Sequence, residues 1–142
     1  NGGSGRLGNG SDSDQLTPVQ VSGMGSGVAS ISAGAFHTCA VKTDGSAWCW
    51  GSNQSDGQLG DGSGSNQNTP VQVSGLGSGL AGISGGGFLG SSGGFPPVQI
   101  EISHTCAVKT DGSAWCWGSG SNGQLGNGGT SAQSTPVEVS GL

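Results

Sequence analysis

The side chains with the widest chemical reach in this chain are four cysteines and two histidines, and they occur in matched sets. His37, Cys39 and Cys49 return as His104, Cys106 and Cys116, within a stretch that runs unchanged from His37 to Gly51 and again from His104 to Gly118. Two thiols and an imidazole admit three chemistries: a disulfide, a pair of buried free thiols, or a metal site. A structural zinc site wants four nitrogen or sulfur ligands and usually a closely spaced Cys pair. Each set offers three donors and no such pair, so no metal and no cofactor is assigned. The histidines read as packed, hydrogen-bonded residues. A disulfide in each set, with buried free thiols as its rival, is the reading carried forward; it places the chain in an oxidising compartment, outside the cell or on its surface.

Catalytic chemistry finds little to work with, and the chain reads as non-enzymatic. No Gly-x-Ser-x-Gly stretch has the strand-turn-helix context of a nucleophile elbow, and no phosphate-binding loop with its Lys is present. Asp44 and Asp111 precede glycines between apolar runs, which marks them as turn formers. Asn9, Asp12 and Asp14 lack the glycine and third ligand of a calcium loop, and read as a solvated segment. Asn9-Gly10-Ser11 and Asn53-Gln54-Ser55 match the N-glycosylation pattern.

Whether the cysteines can meet depends on the elements that carry them. Residues 37–42 and 47–50 flank Asp44-Gly45, a strong hairpin signal. A three-residue loop at 43–45, with Gly45 in the left-handed bulge position, sets Cys39 opposite Cys49, Ala40 opposite Trp48 and Val41 opposite Ala47. A two-residue loop sets Cys39 opposite Trp50 instead. In the first, favoured register one face carries Cys39, Val41, Ala47 and Cys49, and the other carries Ala40, Trp48 and Trp50. Both faces are apolar, which predicts a sheet covered on both sides. Trp48 and Trp115 are core if a neighbour covers them and partner-binding anchors if they stand at an end, since binding hot spots favour Trp.

The remainder of the chain repeats as well. Thr17-Pro18-Val19-Gln20-Val21 returns from Thr69 and from Thr135, at intervals of 52 and 66 residues; Gly5-Arg6-Leu7-Gly8-Asn9-Gly10 returns from Gly57 and from Gly123. The alternation over residues 28–32 and the Pro18-led run 19–21 complete a unit of four short strands, Pro standing at the strand start where its missing N–H is tolerated. The 33 glycines leave no 3.6-residue apolar period, so helix is excluded as a major element. Apolar residues are only 30% of the chain, a share that would suit disorder were they not placed identically in every copy. Three basic residues against eight acidic ones, a net charge of −5, make nucleic acid a poor partner. No apolar run is long enough to span a membrane as a helix.

Ile31-Ser32-Ala33-Gly34 with His37, Asp44-Gly45, Trp50-Gly51-Ser52-Asn53 and Gly57-Gln58-Leu59-Gly60-Asp61-Gly62 closely resemble the regulator of chromosome condensation repeat family. The likeness is strongest to bacterial, secreted-type versions, in which one Cys follows His-Thr and another precedes Trp-Gly. That resemblance implies an all-β propeller whose blades are four antiparallel strands. Residues 1–27 then end a preceding blade with its fourth strand and linker. Residues 28–79 form a blade around hairpin 37–51, and residues 80–142 a blade around hairpin 104–118. Two blades and part of a third cannot close a ring within the chain. Residues 89–103 interrupt the second copy, and read as a blade remnant, an extra outer strand or a surface loop.

The expectation is an extracellular structural or protein-interaction module whose partners are other copies of itself or further repeats of the same polypeptide. The resemblance also implies an alternative, a regulatory propeller that acts on a small GTPase or inhibits a secreted enzyme. An enzyme would need an acid-base pair in the insert, which offers only Glu101.

Overall fold

The structure, a computed structural model, describes residues 1–54, 56–91 and 93–142. Ser55, the third residue of the Asn53 glycosylation pattern, and Ser92, within the insert, lie outside the described residues. The chain folds into two antiparallel sheets of four strands, each in sequential order. The first holds β1 (Val28–Ala33), β2 (His37–Lys42), β3 (Ala47–Gly51) and β4 (Gln67–Gln72); the second holds β5 (Leu80–Ser91), β6 (Gln99–Lys109), β7 (Ala114–Gly118) and β8 (Gln133–Glu138).

Turn chemistry fixes the register of each central hairpin. Gly45 adopts φ +79°, which only glycine accepts readily. The Lys42 N–H donates to the Ser46 carbonyl at 2.9 Å and the Gly45 N–H to the Lys42 carbonyl at 2.8 Å, closing a three-residue loop. Asp44 secures the loop by accepting both the N–H (2.9 Å) and the hydroxyl (2.6 Å) of Ser46, and those two bonds hold its carboxyl below the usual range. Cys39 therefore faces Cys49, Ala40 faces Trp48 and Val41 faces Ala47, with the same pairing from Cys106–Cys116 to Val108–Ala114 in the second hairpin.

The core lies between the sheets. Cys39, Val41, Ala47 and Cys49 of the first sheet meet Ala107 and Trp117 of the second, with Leu59, Val73, Leu76 and Leu80 filling the joint. Trp50 and Trp117 are essentially sealed, at 1% and 0% exposed; truncating a side chain of that size in a core removes about 3–5 kcal/mol.

Three expectations need correction. Residues 19–21 form no strand, because the third strand that would pair with them is not among the described residues; the 3₁₀ turn Gly3–Gly5 is the only regular element before β1. In the two complete sheets the fourth strand starts three residues before its proline, so Pro70 and Pro136 sit inside β4 and β8. Both are edge strands with a register shift beside the proline, where a missing N–H is harmless. Finally, residues 89–103 are neither a separate blade remnant nor wholly a loop: residues 93–98 connect the strands, while 89–91 and 99–103 are themselves strand. They lengthen β5 and β6 into one ladder that pairs without a break from Gly82–Val108 to Ser91–Gln99. Ser103, buried and accepting the Ser119 N–H through its carbonyl, holds the place that Phe36 holds before Ser52. Phe88, which aligns with Phe36 in sequence, is 57% exposed on the extension.

Candidate functional site

The joint between the sheets is built from the Trp-Gly strand of one sheet and the Gly-x-Leu-Gly turn of the segment before it. The Trp117 indole N–H donates to the Gln58 carbonyl at 2.9 Å, and the Trp50 indole N–H donates to the Arg6 carbonyl at the same distance. Three equivalent backbone bonds brace the turns: Ser22, Ser74 and Ser140 N–H donate to the carbonyls of Gly8, Gly60 and Gly126, each at 2.8 Å. The N-terminal segment thus seats on the first sheet as residues 57–60 seat on the second, although it forms no strand.

His37 belongs to the same joint. The Thr105 hydroxyl donates to the Gln58 carbonyl at 2.8 Å, which leaves its oxygen to accept from the His37 Nε2–H, also at 2.8 Å. Nδ1 is then unprotonated and, among the described residues, has no hydrogen-bond partner. Burial, with a smaller contribution from His104, pushes the His37 pKa down to about 4. In the unfolded chain the imidazole takes up its proton below about pH 6.5, so the unfolded state binds more protons and stability falls as pH drops. We expect the decline to run from about pH 6.5 to about pH 4 and to total roughly 3 kcal/mol. Urea unfolding across that range tests it, and a His37→Asn variant should show a flatter profile.

The sulfurs predicted to meet are bonded: Cys39 to Cys49 and Cys106 to Cys116, each with Cα atoms 4.1 Å apart. With both thiols of each pair consumed and His37 engaged by Thr105, the three-donor metal reading has no ligand set. Asn53 is buried; its side-chain N–H groups donate to Asp61 and Ser63, and its side-chain oxygen accepts the Leu59 N–H. It is a loop brace, inaccessible to a glycosyl transferase in the folded chain. Asp14 accepts the Gly2 N–H, and no cluster of three potential metal ligands occurs among the described residues.

Trp48 and Trp115 are half-buried and engaged by their own hairpins. Their indole N–H groups donate to Ser46 and Ser113, and Lys42 and Lys109 stand over the rings at 4.7 and 4.3 Å from the centroids. Cover elsewhere is uneven between the sheets. Val41 is 2% exposed beneath the second sheet, whereas its twin Val108 is 47% exposed; Ile83 packs on the core, whereas its twin Ile31 is 60% exposed. The expected double burial therefore holds at the joint and fails at the two outer ends.

A second surface comes from the insert and was missed in the sequence. A cleft of about 580 Å³ opens between the extension of β6 and the loop after β7; Asp56, Leu89, Ile100, Glu101, Ile102 and Ser119 line it. Glu101 accepts the Ser52 hydroxyl across the two sheets. Burial raises the Asp56 carboxyl above its usual range, against hydrogen bonds from Ser119 and the Ser103 backbone that lower it. Alternation over residues 98–103, apolar at 98, 100 and 102, was the available signal.

Sequential four-stranded sheets stacked face to face, with a tryptophan of one sealed by a turn of its predecessor, define a β-propeller segment. Models of the Regulator of chromosome condensation (RCC1) repeat match residues 1–41, 44–89 and 111–142, and separately 28–58; the chain belongs to that repeat family. It is 32% identical over 145 residues to the Arabidopsis thaliana Ultraviolet-B receptor UVR8, covering 97% of this chain and 28% of that protein. It is 31% identical to the Homo sapiens E3 ubiquitin-protein ligase HERC2, covering 99% of this chain and 3% of that protein. The chain therefore spans under a third of the length of these relatives. The Saccharomyces cerevisiae Prp20p structure, described with its binding to Gsp1p and histones, superposes with a TM-score of 0.60 at 18% identity, over 81% of this chain and 26% of Prp20p. No helix among the described residues is long and apolar enough to cross a membrane.

Proposed function

We propose that this chain is a non-enzymatic structural and protein-interaction module of the cell exterior, whose partners are further repeats or other copies of itself. The observation that carries the reading is the pair of open ends: Val108 exposes at one end the face that Val41 hides at the joint, and Ile31 exposes at the other the face that Ile83 hides. These two surfaces are the two halves of the joint already formed inside the chain, so they are complementary and join head to tail. Trp48 and Trp115 add aromatic anchors on the flanks, and two disulfides suit an oxidising compartment. Arg6 and Gly8 already occupy the Trp50 face in the way Gln58 and Gly60 occupy that of Trp117. A joint between copies must therefore displace one of two equivalent segments, residues 1–8 or residues 119–126.

Light scattering coupled to size-exclusion chromatography tests the assembly. Association that grows with concentration and is lost in Val108→Lys is the expected result; a monomer at every concentration sinks it. The regulatory alternative rests on likeness of fold, which does not dictate function. Accelerated nucleotide release from a small GTPase would favour it.

A further inference from the structure

The edge of β6 is unfinished where the insert begins. Its partner β7 ends at Gly118, opposite His104, while β6 continues back to Gln99. Beyond Ser103, β6 is paired among the described residues with β5 alone, and its other edge faces the cleft. The Ser103 carbonyl points to that side, since it accepts the Ser119 N–H at 2.8 Å. In an antiparallel strand the N–H and C=O of one residue point the same way and successive residues alternate. Glu101 and Gln99 therefore direct their backbone donors and acceptors into the cleft, as a ready template for another strand. The cleft adds Leu89, Ile100 and Ile102 as apolar walls, and Asp56 and Glu101 as carboxylates. None of the chain's three basic residues, Arg6, Lys42 and Lys109, lines it.

We infer that this cleft receives an extended, Lys- or Arg-bearing segment of a partner protein, which adds a strand to the open edge of β6 and sets its cation against Asp56 and Glu101. Backbone pairing supplies affinity, and side-chain pockets with charge supply selectivity, as in other strand-addition complexes. Asp56 is half-buried and takes hydrogen bonds from Ser119 and the Ser103 backbone, which hold its carboxylate beside the cleft. The cleft shares no residue with the exposed Val108 and Ile31 faces, and it persists where copies join by displacing residues 1–8.

The blocked peptide acetyl-Thr-Val-Lys-Val-Thr-Val-amide, titrated into the ¹⁵N-labelled chain and read by NMR, is the probe. Shifts and slowed hydrogen exchange at the amides of Gln99 and Glu101 are expected, with the Glu-for-Lys peptide bound about tenfold more weakly. Gln99→Pro removes a cleft-facing N–H while sparing the ladder to β5, and should abolish binding. Asp56→Asn combined with Glu101→Gln should erase the preference for Lys. Val108→Lys should leave binding unchanged, which separates this site from assembly. Absence of shifts at millimolar peptide, equal binding of the two peptides, or binding retained in Gln99→Pro each overturns the inference. So do concentration-dependent shifts at the same amides without peptide, which would make a second copy the occupant.

Discussion

Replacing Cys39 and Cys49 by alanine should lower the unfolding free energy by about 3 kcal/mol, because a bridge over so short a loop removes roughly that much entropy from the unfolded chain. The bridged residues are separated by 10 in sequence in both hairpins, so the unfolded-state part of the effect is equal for Cys106 and Cys116. Any difference between the two double variants must then come from packing. Cys39 and Cys49 are both fully buried within the joint, whereas Cys106 is only half-buried on the open end. The first pair should therefore cost more to remove in urea unfolding. The same asymmetry predicts a larger kinetic effect. Under mild reductant at neutral pH the Cys106–Cys116 bridge should open from the native state, and Cys39–Cys49 should open only as the chain unfolds. Alkylation followed by peptide mass spectrometry reads the order, and simultaneous opening of both would contradict the burial argument.

How far the sequence foretold this structure depends on whether the signal was local. The hairpin register followed from Asp44-Gly45, because a left-handed glycine permits few ways to close a three-residue loop, and the cysteine pairing followed from the register. The stacking of sheets followed from Ala40, Trp48 and Trp50 being apolar on the face opposite Cys39 and Val41. The fourth strand of the N-terminal segment was misjudged because Thr17 to Val21 carries the same residues as Thr69 to Val73, yet a strand needs a neighbour and none pairs with this copy among the described residues. The insert was misread for a related reason. Aligning Phe88 with Phe36 hid the fact that residues 86–91 and 99–104 are complementary as a ladder, with Ser103 taking the buried position instead. Asp56 and Glu101 were invisible as a pair because they come from different repeats, and only the stacking of two sheets brings them to one cleft.

The glycines of the Gly-x-Leu-Gly turns offer the sharpest internal test of that stacking, because two copies of one residue stand against a tryptophan and the third does not. Gly60 and Gly126 have φ of +72° and +64°, so alanine at either carries a left-handed penalty of about 1–2 kcal/mol. At Gly60 an added Cβ would also stand 2.6 Å from the Trp117 Nε1, 2.9 Å from its Cδ1 and 2.9 Å from the Val73 Cγ1. Trp117 is sealed in the joint and cannot retreat without giving up its bond to the Gln58 carbonyl, so overpacking adds about 1–3 kcal/mol and the lost hydrogen bond about 1. At Gly126 the only close neighbour is Val139, at 3.0 Å, and no tryptophan stands against the turn. Gly60→Ala should thus destabilise the chain by about 3–6 kcal/mol and shift Trp117 fluorescence. Gly126→Ala should cost about 1–2 kcal/mol. Gly8→Ala, whose Cβ would meet the Trp50 Nε1 at 2.7 Å, should follow Gly60 if the strandless N-terminal segment truly caps the first sheet. Equal losses at Gly60 and Gly126 would mean that the tryptophan is free to move and that the turn does not lock one blade onto the next.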